Sequence, residues 1–335
     1  MATKKTGRVT LKQVAEHAGV SRATASLIAR NSPKISEETR KKVQDSMQEL
    51  GYVYDRVAAN LRSQKSSTIG IIITDVANTF FAELLLGVHK ELEKHGYTVF
   101  LGTTFDSVDN QERLISTMLE HRVGGIILCP VSSSSVETVK RIESLDIPLV
   151  LAIRELSEIN CDYVGLDYKL GAQMGVEHLV EKGHKRIAFL GGRPEASTWK
   201  ERMEGYYLAH ENAGLAIDHT LIVDSSPTRE GGLDAVQSVI QNPNPPTAIF
   251  CFSDLIAFGV IIGLRKAGLT PGKDIDIVGF DNVPETEISY PPLTTVSSFA
   301  RVTGTKAAKL LHERILDNNK KQERVILKPE MVIRG

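Results

Sequence analysis

The chain holds 335 residues, 41% hydrophobic and 24% charged, which is length for two or three domains and the composition of an ordinary globular protein; disordered, collagenous and coiled-coil chains are excluded. Its net charge of −1 conceals a partition, because residues 1–65 carry 13 Lys and Arg against 6 Asp and Glu (+7), leaving −8 on residues 66–335. A small basic segment on a large acidic body is the signature of a nucleic-acid-binding module joined to a separate regulatory or catalytic domain. No run approaches the ~18 apolar residues of a membrane-spanning helix, and the basic start from Met1 to Arg8 has no apolar segment behind it, so a cytoplasmic protein is expected. Cys129, Cys161 and Cys251 lie far apart with no Cys-x-x-Cys spacing and read as small buried hydrophobes, not as disulfides or zinc ligands.

The basic segment reads as three short helices. Thr10 and Gln13 form a capping-box pattern ahead of Leu11, Val14, Ala15 and Ala18 at helical spacing, and Gly19 stops the run. Ser21 caps a second helix to about Ala29, and Ser36 caps a third with Val43, Met47 and Leu50 inward, ended by Gly51. Two helices joined by a tight Gly-containing turn, with a third completing a small core, predict a helix-turn-helix DNA-binding unit. Ala25, Ile28 and Ala29 face the other helices, whereas Arg22, Ala23, Ser26, Leu27 and Arg30 look outward. Arg22 suits a guanine edge or a phosphate, Ala23 and Leu27 suit thymine methyls, and the hydroxyls of Ser21 and Thr24, with Thr10 and Ser36 at the other helix starts, suit phosphate oxygens.

Residues 57–67 follow as a hinge and linker: Val57-Ala58-Ala59-Asn60-Leu61 has helical propensity but is too short to hold a helix alone, and a polar run to Ser67 succeeds it. Such a segment becomes helical once paired with its symmetry mate on DNA, with Ala58 and Leu61 at the minor groove and Leu61 as the wedge between base steps. The expected organisation is a headpiece at 1–56, the hinge at 57–67 and a ligand-binding body at 68–335.

The body alternates short apolar runs with helical patterns. Ile69–Ile73, Val99–Gly102, Gly125–Cys129 and Leu149–Ile153 predict buried parallel strands of one α/β lobe, and Arg186–Leu190, Leu221–Val223, Ala248–Phe252 and Ile275–Phe280 predict a second. The fold class is α/β: a helix-turn-helix headpiece plus a two-lobed, doubly wound parallel-sheet domain of periplasmic-binding-protein type. Ligands of such sheets bind beyond the carboxyl ends of the strands. That rule selects Asp75, Asn78, Phe80 and Phe81 after the first strand, Arg154 after the fourth, Ser253 and Asp254 after Phe252, and Asp281 and Asn282 after Phe280. Carboxylates, amides and guanidinium groups pair with vicinal hydroxyls while aromatic rings cover an apolar sugar face, so the set suits a sugar. Several have plainer roles open to them: Asn78 and Asp254 as helix caps, Phe80 and Phe81 as core, Arg154 as an ion pair between lobes, Trp199 as packing or a cleft-mouth residue. No G-x-G-x-x-G, G-x-x-x-x-G-K-[ST], G-x-S-x-G or H-E-x-x-H motif occurs, the nine histidines are scattered, and His184 reads as a structural hydrogen bonder; no enzyme activity, metal or redox cofactor is expected.

The run Leu11-Lys12-Gln13-Val14-Ala15-Glu16-His17-Ala18-Gly19-Val20-Ser21, with Thr24, Ser26, Ser36, Thr39-Arg40, Val43 and Leu50-Gly51-Tyr52, resembles the headpiece of the LacI/GalR family of transcription regulators. The resemblance continues through Gly183-His184-Lys185-Arg186-Ile187, Ser253-Asp254, Val278-Gly279-Phe280-Asp281 and Pro292-Leu293-Thr294-Thr295-Val296. It implies a sequence-specific regulator, by default a repressor of a maltose or other sugar regulon, binding a pseudo-palindromic operator as a homodimer under control of a small effector. It also implies Arg202 as the effector-clamping arginine, Asp281 as the hydroxyl-binding carboxylate, and Ser298, in a lobe crossover, as a further contact. Three crossovers follow from it, giving an N-lobe of about 68–165 and 299–323 and a C-lobe of about 166–297 and 324–335. Tyr54-Asp55 stands where the family usually has Pro-Asn, and Arg30 where Asn is common, so an unusual operator preference is expected. The last residues carry no heptad pattern for a tetramerising bundle, so a dimer is expected.

Overall fold

The computed structural model describes residues 9–29, 32–53, 66–156, 159 and 161–334, which fall into two compact units, residues 1–65 and 66–335. In the first unit α1 (Leu11–His17), α2 (Arg22–Ala29) and α3 (Glu37–Glu49) close on Val14, Ala15, Ala18, Ala25, Ile28 and Val43, all buried, with Leu11, Met47 and Leu50 at the edge. Both halves of the capping box at Thr10 form: Gln13 N donates to Thr10 Oγ1 at 3.4 Å and Thr10 N donates to Gln13 Oε1 at 2.8 Å. Ser21 Oγ accepts Thr24 N at 3.0 Å, whereas Ser36 holds the N-cap position of α3 without a backbone bond, its hydroxyl being taken by Thr39 Oγ1 at 2.9 Å. Gly19 and Gly51 turn α1 and α3 off at φ +62 and +65, and Val20 N and Tyr52 N then reach back to Ala15 O and Met47 O.

The second unit contains two six-stranded sheets among the described residues. The first is built from β1 (Thr68–Ile73), β2 (Thr98–Thr103), β3 (Ile126–Leu128), β4 (Leu149–Ala152), β5 (Asp162–Leu166) and β11 (Arg324–Leu327), in the order β11-β5-β4-β3-β1-β2 and parallel throughout. The second is built from β6 (Ile187–Leu190), β7 (Ile222–Val223), β8 (Ala248–Cys251), β9 (Asp276–Asp281), β10 (Thr294–Ser297) and β12 (Glu330–Val332), in the order β12-β10-β9-β8-β6-β7, with only β12 antiparallel. Strands buried on both faces need no apolar alternation, which is why Ile69 to Ile73 is a continuous run. Two expectations are corrected. Leu221 lies in a 3-10 turn ahead of β7, and residues 324–335 do not all join the C-lobe, because the chain leaves β11 of the first sheet at Lys328 and Pro329 and crosses to β12 of the second. Residues 324–327 therefore belong with the first lobe.

Helices α4 (Thr79–Glu93) and α12 (Ala300–Leu316) cover one face of the first sheet and meet backbone to backbone. A Cβ on Gly87 would lie 2.0 Å from Arg301 O, and one on Gly304 would lie 2.1 Å from Leu84 O. Neither helix can yield locally, so Gly87→Ala should destabilise the body by about 1–3 kcal/mol in a urea titration. Unchanged stability would mean that the two helices are not packed this closely.

Candidate functional site

The outward face of α2 carries exposed Arg22 and Ala23 and an exposed Leu27, while Ala25 and Ile28 are buried beneath it. Leu27 is 39% exposed, on the side of α2 that helix geometry turns away from the buried Ala25 and Ile28. Ser21 and Thr24 share a 2.9 Å hydroxyl contact at the start of α2, which leaves their oxygens at a helix N-terminus. Arg30 and the hinge residues Ala58 and Leu61 lie outside the described residues.

The carboxyl ends of strands from both sheets meet at a small cavity of about 80 Å³. Its walls include Asp75, Asn78, Phe80, Phe81 and Arg154 from the first lobe and Arg202, Phe252, Ser253 and Asp281 from the second. Ser298 does not line it: buried, it donates to the Asp281 carbonyl at 3.1 Å and supports the wall from behind. Asn78 accepts Phe80 N at 3.0 Å as the N-cap of α4, and Asp75 accepts Ala77 N at 2.8 Å, so both hold the start of that helix while bordering the cavity. Phe80 and Phe81 serve core and cavity together, their rings edge to face at 5.2 Å.

Arg202, on α8 (Ser197–Asn212), is buried within an aromatic cage: its guanidinium carbon lies 4.0 Å from the Phe280 ring centre, 4.4 Å from Phe252 and 4.5 Å from Tyr168. One bond runs from Nη1 to Thr198 O at 3.1 Å, Asp281 Oδ1 stands 3.9 Å from Nη2, and Nε has no hydrogen-bond partner among the described residues. Burial pulls the Arg202 pKa down, against Asp281; burial likewise pushes Asp281 well above the usual carboxylate range, against Arg202. Asp281 sits at φ +126 and Asn282 at φ +59, a backbone geometry that needs external support. Asp254 supplies it. The cap of α10 (Asp254–Lys266) is Ser253, accepting Ile256 N at 3.4 Å, and the wholly buried Asp254 instead accepts Val283 N at 2.9 Å and the Thr295 hydroxyl at 2.5 Å. Burial raises Asp254 to about 6 against those bonds.

Arg154 donates through Nη1 to Asp106 Oδ1 at 2.6 Å and to Pro130 O at 3.1 Å, so its ion pair lies within one lobe. Trp199 packs edge to face on Phe189 at 5.9 Å and donates Nε1 to Gly191 O at 3.2 Å, and His184 bridges Thr247 and Asp276 at 2.9 Å each, both structural arrangements. Sequence reasoning missed Tyr168 and Asp106. The strand-end rule finds Tyr168 once Asp162–Leu166 is recognised as a strand, but Asp162 and Gly165 break the apolar run that would mark it. Among the described residues, no group of three His, Cys, Asp or Glu is arranged to hold a metal, and no helix is long and apolar enough to cross a membrane.

Comparison with known proteins agrees with this architecture. Residues 10–55 match the model of bacterial regulatory proteins of the lacI family, and residues 66–334 match that of periplasmic binding proteins and the sugar-binding domain of the LacI family. The chain is 34% identical over 304 residues to catabolite control protein A of Priestia megaterium, covering 90% of this chain and 91% of that protein. It is 32% identical over 327 residues to the HTH-type transcriptional repressor PurR of Photobacterium profundum, covering 97% of each. A solved complex of the transcriptional regulator CelR with cellobiose superposes with a TM-score of 0.74 at 29% identity, covering 98% of this chain and 99% of that one. With matched headpiece, matched body and full-length relatives, the chain belongs to the LacI family of bacterial regulatory proteins and is a DNA-binding regulator of transcription, not an enzyme.

Proposed function

We propose that this regulator is a cytoplasmic homodimeric repressor that holds a pseudo-palindromic operator and releases it when a sugar or sugar derivative enters the cavity between the lobes. The observation that carries the reading is Arg202, a buried cation with a donor left unpaired beside the Asp281 carboxylate inside an aromatic cage. A buried unpaired donor costs about 1–3 kcal/mol, a cost that a ligand oxygen removes. Adjacent hydroxyls of a sugar offer an acceptor to Arg202 and a donor to Asp281, with Asp75, Asn78, Arg154 and Ser253 as further polar contacts and Phe80 and Phe81 as apolar ones. Ser298 acts by holding Asp281. The cellobiose bound to the CelR relative supports the ligand class, and the relative named as the repressor PurR supports repression as the effect on transcription.

On DNA, α2 enters the major groove with Arg22, Ala23 and Leu27 toward base edges and Thr10, Ser21, Thr24, Arg30 and Ser36 toward phosphates. On sequence grounds Ala58 and Leu61 of the paired hinges take the minor groove between half-sites. Two-fold pairing is supported by the outer strand of the first sheet, where β2 presents exposed Phe100 and Leu101 with exposed Leu86, Phe105 and Val108 on neighbouring segments, an apolar set that a second copy would cover.

The test is a mobility shift of the full chain on selected palindromes, with and without a panel of sugars. Binding should weaken steeply and log-linearly with salt through counterion release, and one class of sugar should release the DNA. Arg22→Ala and Leu27→Ala should each shift base preference by about 1–3 kcal/mol, roughly 5- to 150-fold, while leaving sugar-induced thermal stabilisation unchanged. Variants that bind the same sequences but lose the sugar response would overturn the assignment of this face.

A further inference from the structure

Asp106 lies in the loop after β2, and nothing in the cavity reading uses it. Its carboxylate is nonetheless fully bonded beside the cavity residue Arg154: Oδ1 accepts Arg154 Nη1 at 2.6 Å and Ser132 N at 2.9 Å, and Oδ2 accepts the Ser132 hydroxyl at 2.7 Å. The remaining neighbour comes from the other lobe. Arg193, in the loop after β6, brings Nε to 3.8 Å from Asp106 Oδ2. Asp106 is almost buried while Arg193 is half exposed, so a single carboxylate joins a largely buried partner in its own lobe to an exposed one in the other.

Both ends of this arrangement run into the cavity walls. On the first lobe, Arg154 borders the cavity and, among the described residues, its hydrogen bonds run through Nη1 alone, which leaves Nε and Nη2 for a ligand. Phe105 and Asp106 adopt φ of +51 and +57, positions that side chains avoid, and are held there by Phe105 N to Thr74 O at 2.7 Å and Asp106 N to Thr104 Oγ1 at 3.2 Å, Thr74 being another cavity residue. On the second lobe, the Gly191–Gly192 turn that carries Arg193 lies directly on the cavity residue Phe252: a Cβ on Gly192 would stand 2.6 Å from both the Phe252 ring and the Trp199 ring. Burial opposes the charge on Asp106, yet Arg154 and the Ser132 bonds outweigh it and keep the carboxyl below its ordinary range. The lobes also touch elsewhere, where the Thr79 hydroxyl donates to Glu285 Oε1 at 2.5 Å.

We infer that Asp106 is a positioning residue that couples the two cavity walls, aiming Arg154 at the effector and latching the lobes through Arg193. It rests on the reading that the cavity takes an effector, and it specifies how occupancy is converted to closure. A neutral polyhydroxy ligand takes the spare donors of Arg154 and leaves the latch intact. An anionic ligand competes with Asp106 for the guanidinium, frees the carboxylate and loosens it.

The latch is tested on the full chain without ligand or DNA, so its failure is separable from failure of the functional reading. Hydrogen exchange is followed at Ser132, whose amide is bonded to Asp106, and at Gly191 and Ser225, bonded to Val223 O and Gly192 O. Emission of Trp199, the one tryptophan, is followed beside them. Arg193→Gln should speed exchange at Gly191 and Ser225 at least threefold and shift the Trp199 emission, with Ser132 unchanged. Asp106→Asn should speed all three sites, and Arg193→Lys should restore wild-type behaviour. If Asp106→Asn moves only Ser132, or Arg193→Gln moves nothing, Asp106 is a local loop anchor and the coupling is wrong.

Discussion

Arg202→Ala should abolish the response to sugar while operator affinity in its absence stays within about threefold of wild type. The side chain contributes both the cation facing Asp281 and the donor left unpaired in the cavity wall. Two charge-assisted hydrogen bonds at about 1.5–3 kcal/mol each correspond to at least a hundredfold loss of sugar affinity at about 1.4 kcal/mol per decade. Removing the guanidinium also strips Asp281 of the charge that opposes the effect of burial, which pushes its pKa further up. Arg202→Lys should rescue poorly, because an ammonium neither stacks among Tyr168, Phe252 and Phe280 nor forks to two oxygens. The measurements are a mobility shift with the sugar found by the panel and a melting curve confirming that the variant is folded. A variant that still releases DNA at wild-type sugar concentrations would remove Arg202 from the site.

The second large effect concerns stability. Arg314→Ala should cost about 3–5 kcal/mol, a large part of the roughly 5–15 kcal/mol that holds a domain together. Arg314 ends α12 and forks onto Asp162 at the start of β5, Nε to Oδ2 at 2.8 Å and Nη2 to Oδ1 at 3.0 Å, and both side chains are buried. The same guanidinium donates to the carbonyls of Asn318, Lys320 and Lys321, and Asp162 Oδ1 also takes Glu323 N at 2.8 Å. This knot returns the chain from α12 to β11, so its loss leaves a buried carboxylate and frees the strand that completes the first sheet. Replacing both partners, as Asp162→Leu with Arg314→Met, should cost less than Arg314→Ala alone, since no charge is left behind. Urea unfolding followed by circular dichroism decides it; a double variant weaker than the single one would mean that the carbonyl contacts of Arg314, not the ion pair, hold the junction.

How much of this was legible in the chain depends on the range of the interaction concerned. Helix caps, glycine stops and buried parallel strands are local events, so Thr10 with Gln13, Gly19, Gly51 and the run from Ile69 to Ile73 announce themselves, and the strand-end rule picks out about half of the cavity lining, Arg202 not among it. The exposed face of α2 likewise follows from helical periodicity. Tertiary structure decided what depends on partners far apart in the chain. It gave Asp254 to the Val283 amide and not to a helix cap, set Ser298 behind Asp281 instead of in the cavity wall, and kept the partner of Arg154 in its own lobe. It also split residues 324–333 between two sheets. A carboxylate carries the same sequence signature whether it caps, clamps or latches; only the distance to a side chain dozens or hundreds of residues away, and the burial that sets the strength of that contact, distinguishes the three.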